Sequence, residues 1–247
     1  SNFKRNLATE CQSRNGYNGS ILIKNIRKKY YQSIISKKKK KPIIMKTNLQ
    51  LTILLSTVIM LLGQHSTRLT SEFNDSLENS KIKPVENEFI LRKAVSVGGG
   101  AVPLIDSNTK KLRGISDFDA NRLASNTALI INGLRLGYAT DSATGKEAQK
   151  LYDESFTAAF RNARLKIKQD GIVYLDRPIS ELYNPYKAKS TNRQDDYVNL
   201  EIPVVLVGNV DFDMEIEFPD GATPVASKTE YFELALSVVE CRRSNAA

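Results

Sequence analysis

Asp211, Asp213, Glu215 and Glu217 place a carboxylate at every second position of one short stretch, the residues in this chain that come nearest to chemistry. Oxygen ligands of that kind can hold calcium, and a pair of acids can act as general acid and base in glycoside hydrolysis. Strand geometry weighs against the first use. Alternate residues stand about 6.5–7 Å apart along a strand, so one strand cannot wrap an ion. For the second use, no pair stands out from the row. Phe212, Met214, Ile216 and Phe218 alternate with the acids, and a period of two sends the apolar groups to one face and the carboxylates to the other. The row reads as the solvated or partner-facing side of a half-buried strand, with no metal assigned to it.

Other chemistry is sparse. The chain holds one histidine, His65, and no tryptophan. His65 precedes the expected folded body, which excludes Ser-His-Asp and Cys-His sets there and any zinc site that needs histidine. Gly98, Gly99 and Gly100 form a lone glycine triplet. A phosphate cradle requires a helix after it; the residues that follow, Ala101 to Ile105, read as extended, so the triplet reads as a turn. Tyr183 and Tyr186 lie in a long polar loop, Glu181 to Asp196, and are candidates to face a partner. The alternative for such tyrosines is half-buried packing with wet hydroxyls. No catalytic residue, cofactor or small-molecule substrate is assigned, and the protein is expected not to be an enzyme. Cys11 and Cys241 stand at opposite ends, outside any metal spacing; two free thiols are expected, with a bridge between them as the alternative.

Charge divides the chain. Residues 1–46 carry thirteen lysines and arginines against one acid, Glu10, whereas the remainder carries 23 against 26. The net +9 therefore sits in a leading arm. Residues 1–44 are expected to be a basic, extended or disordered arm, with Lys28, Lys29, Lys37, Lys38, Lys39, Lys40 and Lys41 as candidates for nucleic acid or anionic lipid. The arm is also the expected electrostatic counterpart of the acidic row. Residues 45–66 follow as an apolar segment, Leu49–Leu62 at its centre, with the lysines before it and small polar residues after it. That layout is signal-like, or a short membrane anchor. Its strongly apolar part is shorter than the ~20 residues a bilayer span needs. Residues 67–88 read as polar linker, residues 89–241 as the folded domain, and residues 242–247 as a tail.

Within the domain the elements are mostly strands: Phe89 to Val97, Thr127 to Ala139 with possible bulges at Gly133 and Gly137, and Tyr197 to Val207. Arg164, Lys166 and Lys168 alternate with Leu165 and Ile167, and Gln169-Asp170-Gly171 turns the chain back into Ile172 to Leu175. Pro178 ends that pairing or marks an edge. Pro219-Asp220-Gly221 closes the acidic strand, and Glu230 to Val239 forms the last one. Lys146 to Phe160 is the best helical candidate, from Ala148, Leu151, Tyr152, Ser155, Phe156 and Ala159 at helical spacing. About eight short strands and no βαβ alternation predict an all-β, antiparallel sandwich or jelly roll with one short helix.

The succession of Arg164–Leu175 hairpin, long loop, Tyr197 to Leu206, acidic strand, Phe218-Pro-Asp-Gly turn and closing strand, over about residues 125–240, resembles the jelly-roll capsid proteins of tailless bacterial viruses. The resemblance implies a structural virion protein, a capsid or capsid-associated subunit assembling with copies of itself or with other structural subunits. The apolar segment departs from a soluble shell protein; it suits membrane contact through Leu49–Leu62. The alternative is a secreted or membrane-anchored β-sandwich binding module for a glycan or protein.

Overall fold

The computed structural model describes residues 45–183 and 197–243, with side chains from residue 55 onward. The chain divides into two units, residues 1–67 and 68–247. In the first, the apolar segment forms helix α1, Met45–Gln64, which has no proline and no glycine before Gly63 to interrupt it. No helix among the described residues is long and apolar enough to cross a membrane.

The second unit begins earlier than its composition suggests. Residues 67–88, expected as linker, are folded. Thr70 caps helix α2, Ser71–Glu78, by accepting from the Phe73 N–H, and Phe73 and Leu77, one turn apart, are buried. Strand β1, Ile82–Val95, then runs antiparallel to β8, Thr229–Arg243, over its whole length, from Ile82 opposite Arg243 to Val95 opposite Glu230. The polar stretch Lys83 to Glu88 conceals this strand because β1 lies at a sheet edge, where Val85, Glu86 and Asn87 are exposed. β8, paired on both sides by β1 and β3, extends past Cys241 into the expected tail.

Six further strands complete the unit: β2 (Gly100–Pro103), β3 (Thr127–Asp141), β4 (Arg164–Gln169), β5 (Ile172–Pro178), β6 (Val198–Val207) and β7 (Phe212–Phe218). They form two four-stranded sheets, ordered β1-β8-β3-β6 and β2-β7-β4-β5, with every pairing antiparallel. The two share one hydrophobic core. Phe89, Leu91, Leu129, Leu134, Leu136, Phe232 and Leu234 enter it from the first sheet; Leu165, Ile167, Phe212, Met214, Ile216 and Phe218 enter from the second. Alternation on β4 and β7 is complete, as the sequence pattern requires. Phe118 bridges the layers, its ring 5.2 Å from Phe89 of β1 and 5.7 Å from Phe212 of β7.

Turn chemistry explains the connections. Asp170 (φ 55°) and Gly171 (φ 71°) make the β4–β5 hairpin, positive φ at both positions being what a two-residue hairpin of this hand demands. Pro178 ends β5 and leads directly into the short helix α4, Ile179–Leu182. At Gly133 the β3 ladder shifts register against both neighbours. A Cβ there would stand 3.2 Å from the Val198 carbonyl oxygen, so the bulge and the absent side chain belong together.

The helix expected over Lys146 to Phe160 does not form. A 3-10 turn at Glu147–Gln149 and the short helix α3, Ala158–Asn162, flank an irregular segment. Tyr152 has φ 57°, which breaks a helix. The backbone is taken by β3 instead: Asp153 bridges Tyr138, and the Glu154 N–H donates to the Tyr138 carbonyl at 3.1 Å. The helical spacing was coincidental, since Leu151 is fully out in solvent while Tyr152 is buried beside Tyr231 and Ala139.

Candidate functional site

The acidic row is where its alternation places it, on the outer face of the second sheet, beside a matching row of cations. Strand β7 pairs with β4 so that Arg164 stands opposite Glu217, Lys166 opposite Glu215 and Lys168 opposite Asp213. The ion pairs run diagonally across that register. Lys166 Nζ is 2.5 Å from Glu217 Oε2, and Lys168 pairs with Glu215. Arg164 turns to the other neighbour and meets Asp176 of β5 at 2.6 Å. Asp211 lies just before the strand and forms a two-point pair with Arg122, 2.6 Å and 3.1 Å. The hydrogen bond from that guanidinium holds the Asp211 carboxyl below its ordinary range.

The row is thus a charge ladder whose cations come from β4 and from Arg122, within the same unit. Those cations answer Asp211, Glu215 and Glu217; Lys28, Lys29 and Lys37 to Lys41, the expected counterpart of the row, lie outside the described residues. Tyr186 lies outside them as well. Tyr183 is described and is half-buried: its ring packs edge-on against Phe156, centroids 4.8 Å apart, at the margin of the core. Leu49–Leu62 forms part of α1. Cys241 is a free, buried thiol whose pKa burial pushes up to about 12.

Two charged clusters escaped the sequence reading. On the face of the first sheet that points away from the shared core, Glu233 of β8 is buried between two arginines. Arg92 of β1 donates to Glu233 Oε2 from Nε at 2.8 Å and reaches it from Nη2 at 2.7 Å. Arg135 of β3 stands 3.3 Å from Oε1, as an ion pair without hydrogen-bond geometry, and 3.4 Å from Glu88. Aromatic rings cover both guanidinium groups, Tyr152 at 4.9 Å from Arg92 and Tyr197 at 5.7 Å from Arg135. Burial, with Glu88 close by, pushes the Tyr197 hydroxyl up to about 12. The second cluster lies inside the core, where the Tyr138 hydroxyl donates to Glu230 at 2.6 Å and the Val225 N–H donates to the other carboxylate oxygen at 3.2 Å. The signal for the first cluster was present in the sequence: single charges interrupt apolar strands at Leu134-Arg135-Leu136 and Phe232-Glu233-Leu234, and a charge so placed must find an opposite one.

What these arrangements can do chemically is limited. Each carboxylate of the clusters already accepts from an arginine, a hydroxyl or a backbone N–H. The acidic row is spread along exposed strand rather than gathered around a cavity. Among the described residues no group of three or more histidine, cysteine or acidic side chains is gathered closely enough to hold a metal ion. What they leave is a sheet face with fixed charges and a set of sheet edges. No protein-family model matches the chain, and the comparison with curated proteins finds no match.

Proposed function

We propose that the protein is a non-catalytic structural subunit, a capsid or capsid-associated protein of a virion, whose residues 68–243 are wound as a jelly roll and assemble through protein–protein contacts. One observation carries this reading. Strand pairs β1/β8, β2/β7, β3/β6 and β4/β5 are all hydrogen-bonded, with β8/β3 and β7/β4 joining them into sheets. In each of the first four pairs the two strand numbers add to nine. That is the pairing of one long antiparallel ribbon folded over on itself, the winding of eight-stranded jelly rolls found in viral capsids, lectins and cupins. The choice of capsid within that set rests on the resemblance in residues 125–240 and is an analogy at the level of fold. The ladders of neutralised charge and the lack of any histidine in residues 68–247 support a role in binding over one in catalysis.

The test is assembly of the full chain, followed by native mass measurement and electron microscopy across concentration. Discrete oligomers or shell-like particles are expected. A monomer at every concentration overturns the proposal.

A second reading, a secreted or membrane-anchored binding module, is favoured by one feature: the lysines 37–41 directly before the apolar segment of α1. N-terminal sequencing of protein from its natural source decides it, a mature start near Ser66 favouring export.

A further inference from the structure

We infer that copies of this chain join side to side, head to tail, through two opposite edges of the residue 68–243 unit: a basic hairpin at Lys110–Arg113 on one edge, and the acidic, apolar wall of β5 and β6 on the other. The inference rests on the structural-subunit reading and names the surfaces it would use.

The two edges are unlike. In the first sheet β1 and β6 are the outer strands, and in the second β2 and β5. Phe118 links β1 to β7, the neighbour of β2, whereas Gln169 of β4 bonds to Val207 of β6. The β1 and β2 edges therefore share one side, and the β5 and β6 edges share the other. On the first side a tight hairpin, Leu112 to Ser116, docks onto β1. Ser116 bridges Leu91, the Arg92 N–H donates to Ile115, and the Asp117 N–H donates to Ile90, whose own N–H returns to the Asp117 carboxylate. Arg92 also reaches the Gly114 carbonyl at 2.8 Å. These bonds hold out Lys110, Lys111 and Arg113, all exposed, around Leu112, which is 53% exposed. Three cations around one aliphatic knob, fixed in place, form a presented surface rather than a loose charged loop.

The opposite side carries the complement. Between Val204 and Asn199, β6 runs five residues while β3 advances two, from Ile131 to Gly133. Residues 200–203 are pushed out of the ladder, and Ile202 is 83% exposed at their crest. On β5, Ile172 and Val173 are half exposed. Among the described residues of these two strands, the turn before β5 and helix α4, the exposed charged side chains are Asp170, Glu181 and Glu201 against Arg177, with Asp176 already paired to Arg164. Leu112 with its cations fits this wall in both polarity and charge. A contact between two different patches of the same chain propagates into rings or extended arrays instead of stopping at a dimer.

The experiment follows the full chain by sedimentation and light scattering at low and high salt, which screens such rim charges. Three variants accompany it: Lys110→Glu with Lys111→Glu, Glu181→Lys with Glu201→Lys, and all four substitutions together. Wild type is expected to associate at low salt. Each two-residue variant should weaken association at least tenfold, and the four-residue variant, with both charges reversed, should regain it. Ile202→Ser should weaken association without altering its salt dependence. Association that none of the variants changes overturns the edge pairing and leaves the structural-subunit reading standing. A wild-type monomer under all conditions overturns both. Circular dichroism of each variant verifies that the sheets are intact.

Discussion

Gln169 ends β4 with its side chain buried, and its amide behaves as an extra residue of the neighbouring sheet. Its Nε2 donates to the Val207 and Val210 carbonyls at 2.9 Å and 3.0 Å, and its Oε1 accepts from the Val207 N–H at 2.9 Å and from Arg68 at 3.0 Å. Replacing it with leucine keeps the bulk and strands both backbone groups of Val207 away from water. Leaving buried polar groups unpaired costs roughly 1–3 kcal/mol each. Gln169→Leu should therefore lower the unfolding free energy by about 2–4 kcal/mol, seen as an earlier urea midpoint with an unchanged slope. Gly208, the residue after Val207, is fixed by space rather than by φ. A Cβ would lie 2.2 Å from the Ala124 carbonyl oxygen and 2.6 Å from that of Thr127. Both obstacles are backbone, so Gly208→Ala should cost at least about 2 kcal/mol, against a few tenths for Gly98→Ala, where a Cβ meets nothing within 4 Å. Neither role could be read from the sequence, because each depends on what a distant part of the chain brings alongside.

Elements that satisfy themselves by local alternation were legible; elements that depend on a distant partner were not. Strands β4 and β7 announce themselves by period two, and the Asp170-Gly171 turn by its residue types. The first half of β1 is polar and still a strand, since its hydrogen bonds come from β8, about 150 residues away in sequence. The false helix at 146–160 failed for the same reason. That segment is instead tied down by a small set of polar contacts, and pH should loosen it. Asp141 pairs with Lys150 at 2.5 Å and accepts from the Ala143 N–H at 3.0 Å, and the lysine bond first, then the backbone bond, bring its pKa down to about 2. A carboxyl whose folded value lies below its unfolded one stabilises the fold above the unfolded value, and that contribution disappears as pH falls through the folded one. The window runs from about pH 4 to about pH 2. Protection of the Ala143 amide, its exchange relative to a free peptide at the same pH, should fall across that window, and Lys150→Met should move the onset to higher pH. An onset that stays put with Lys150→Met would remove the lysine from the explanation.

At the scale of the whole molecule, the first strand lies against the last, and β8 separates β1 from β3 in a sheet assembled from three distant parts of the chain. Such long-range pairing slows folding and leaves register to be decided late. The Arg92–Glu233–Arg135 cluster sits where these three strands meet, and Arg92 stands opposite Glu233 in the β1–β8 ladder. A buried carboxylate shared by two guanidinium groups gains little net stability against an apolar packing of the same size, yet removing it leaves two largely buried cations without the anion they share. Glu233→Leu alone should therefore destabilise by about 3–5 kcal/mol. Replacing all three, Arg92→Met, Arg135→Met and Glu233→Leu, should recover most of that loss. Denaturant unfolding of the single and triple variants measures both. What the triple variant should lose is certainty of register: a one-residue slip of β1 along β8 exchanges its faces, and in the natural sequence that slip would carry Arg92 toward the core and away from Glu233. If the triple variant folds as fast and as uniformly as the wild type, judged by single-exponential refolding and one set of amide resonances, the cluster contributes nothing to register and its role is packing.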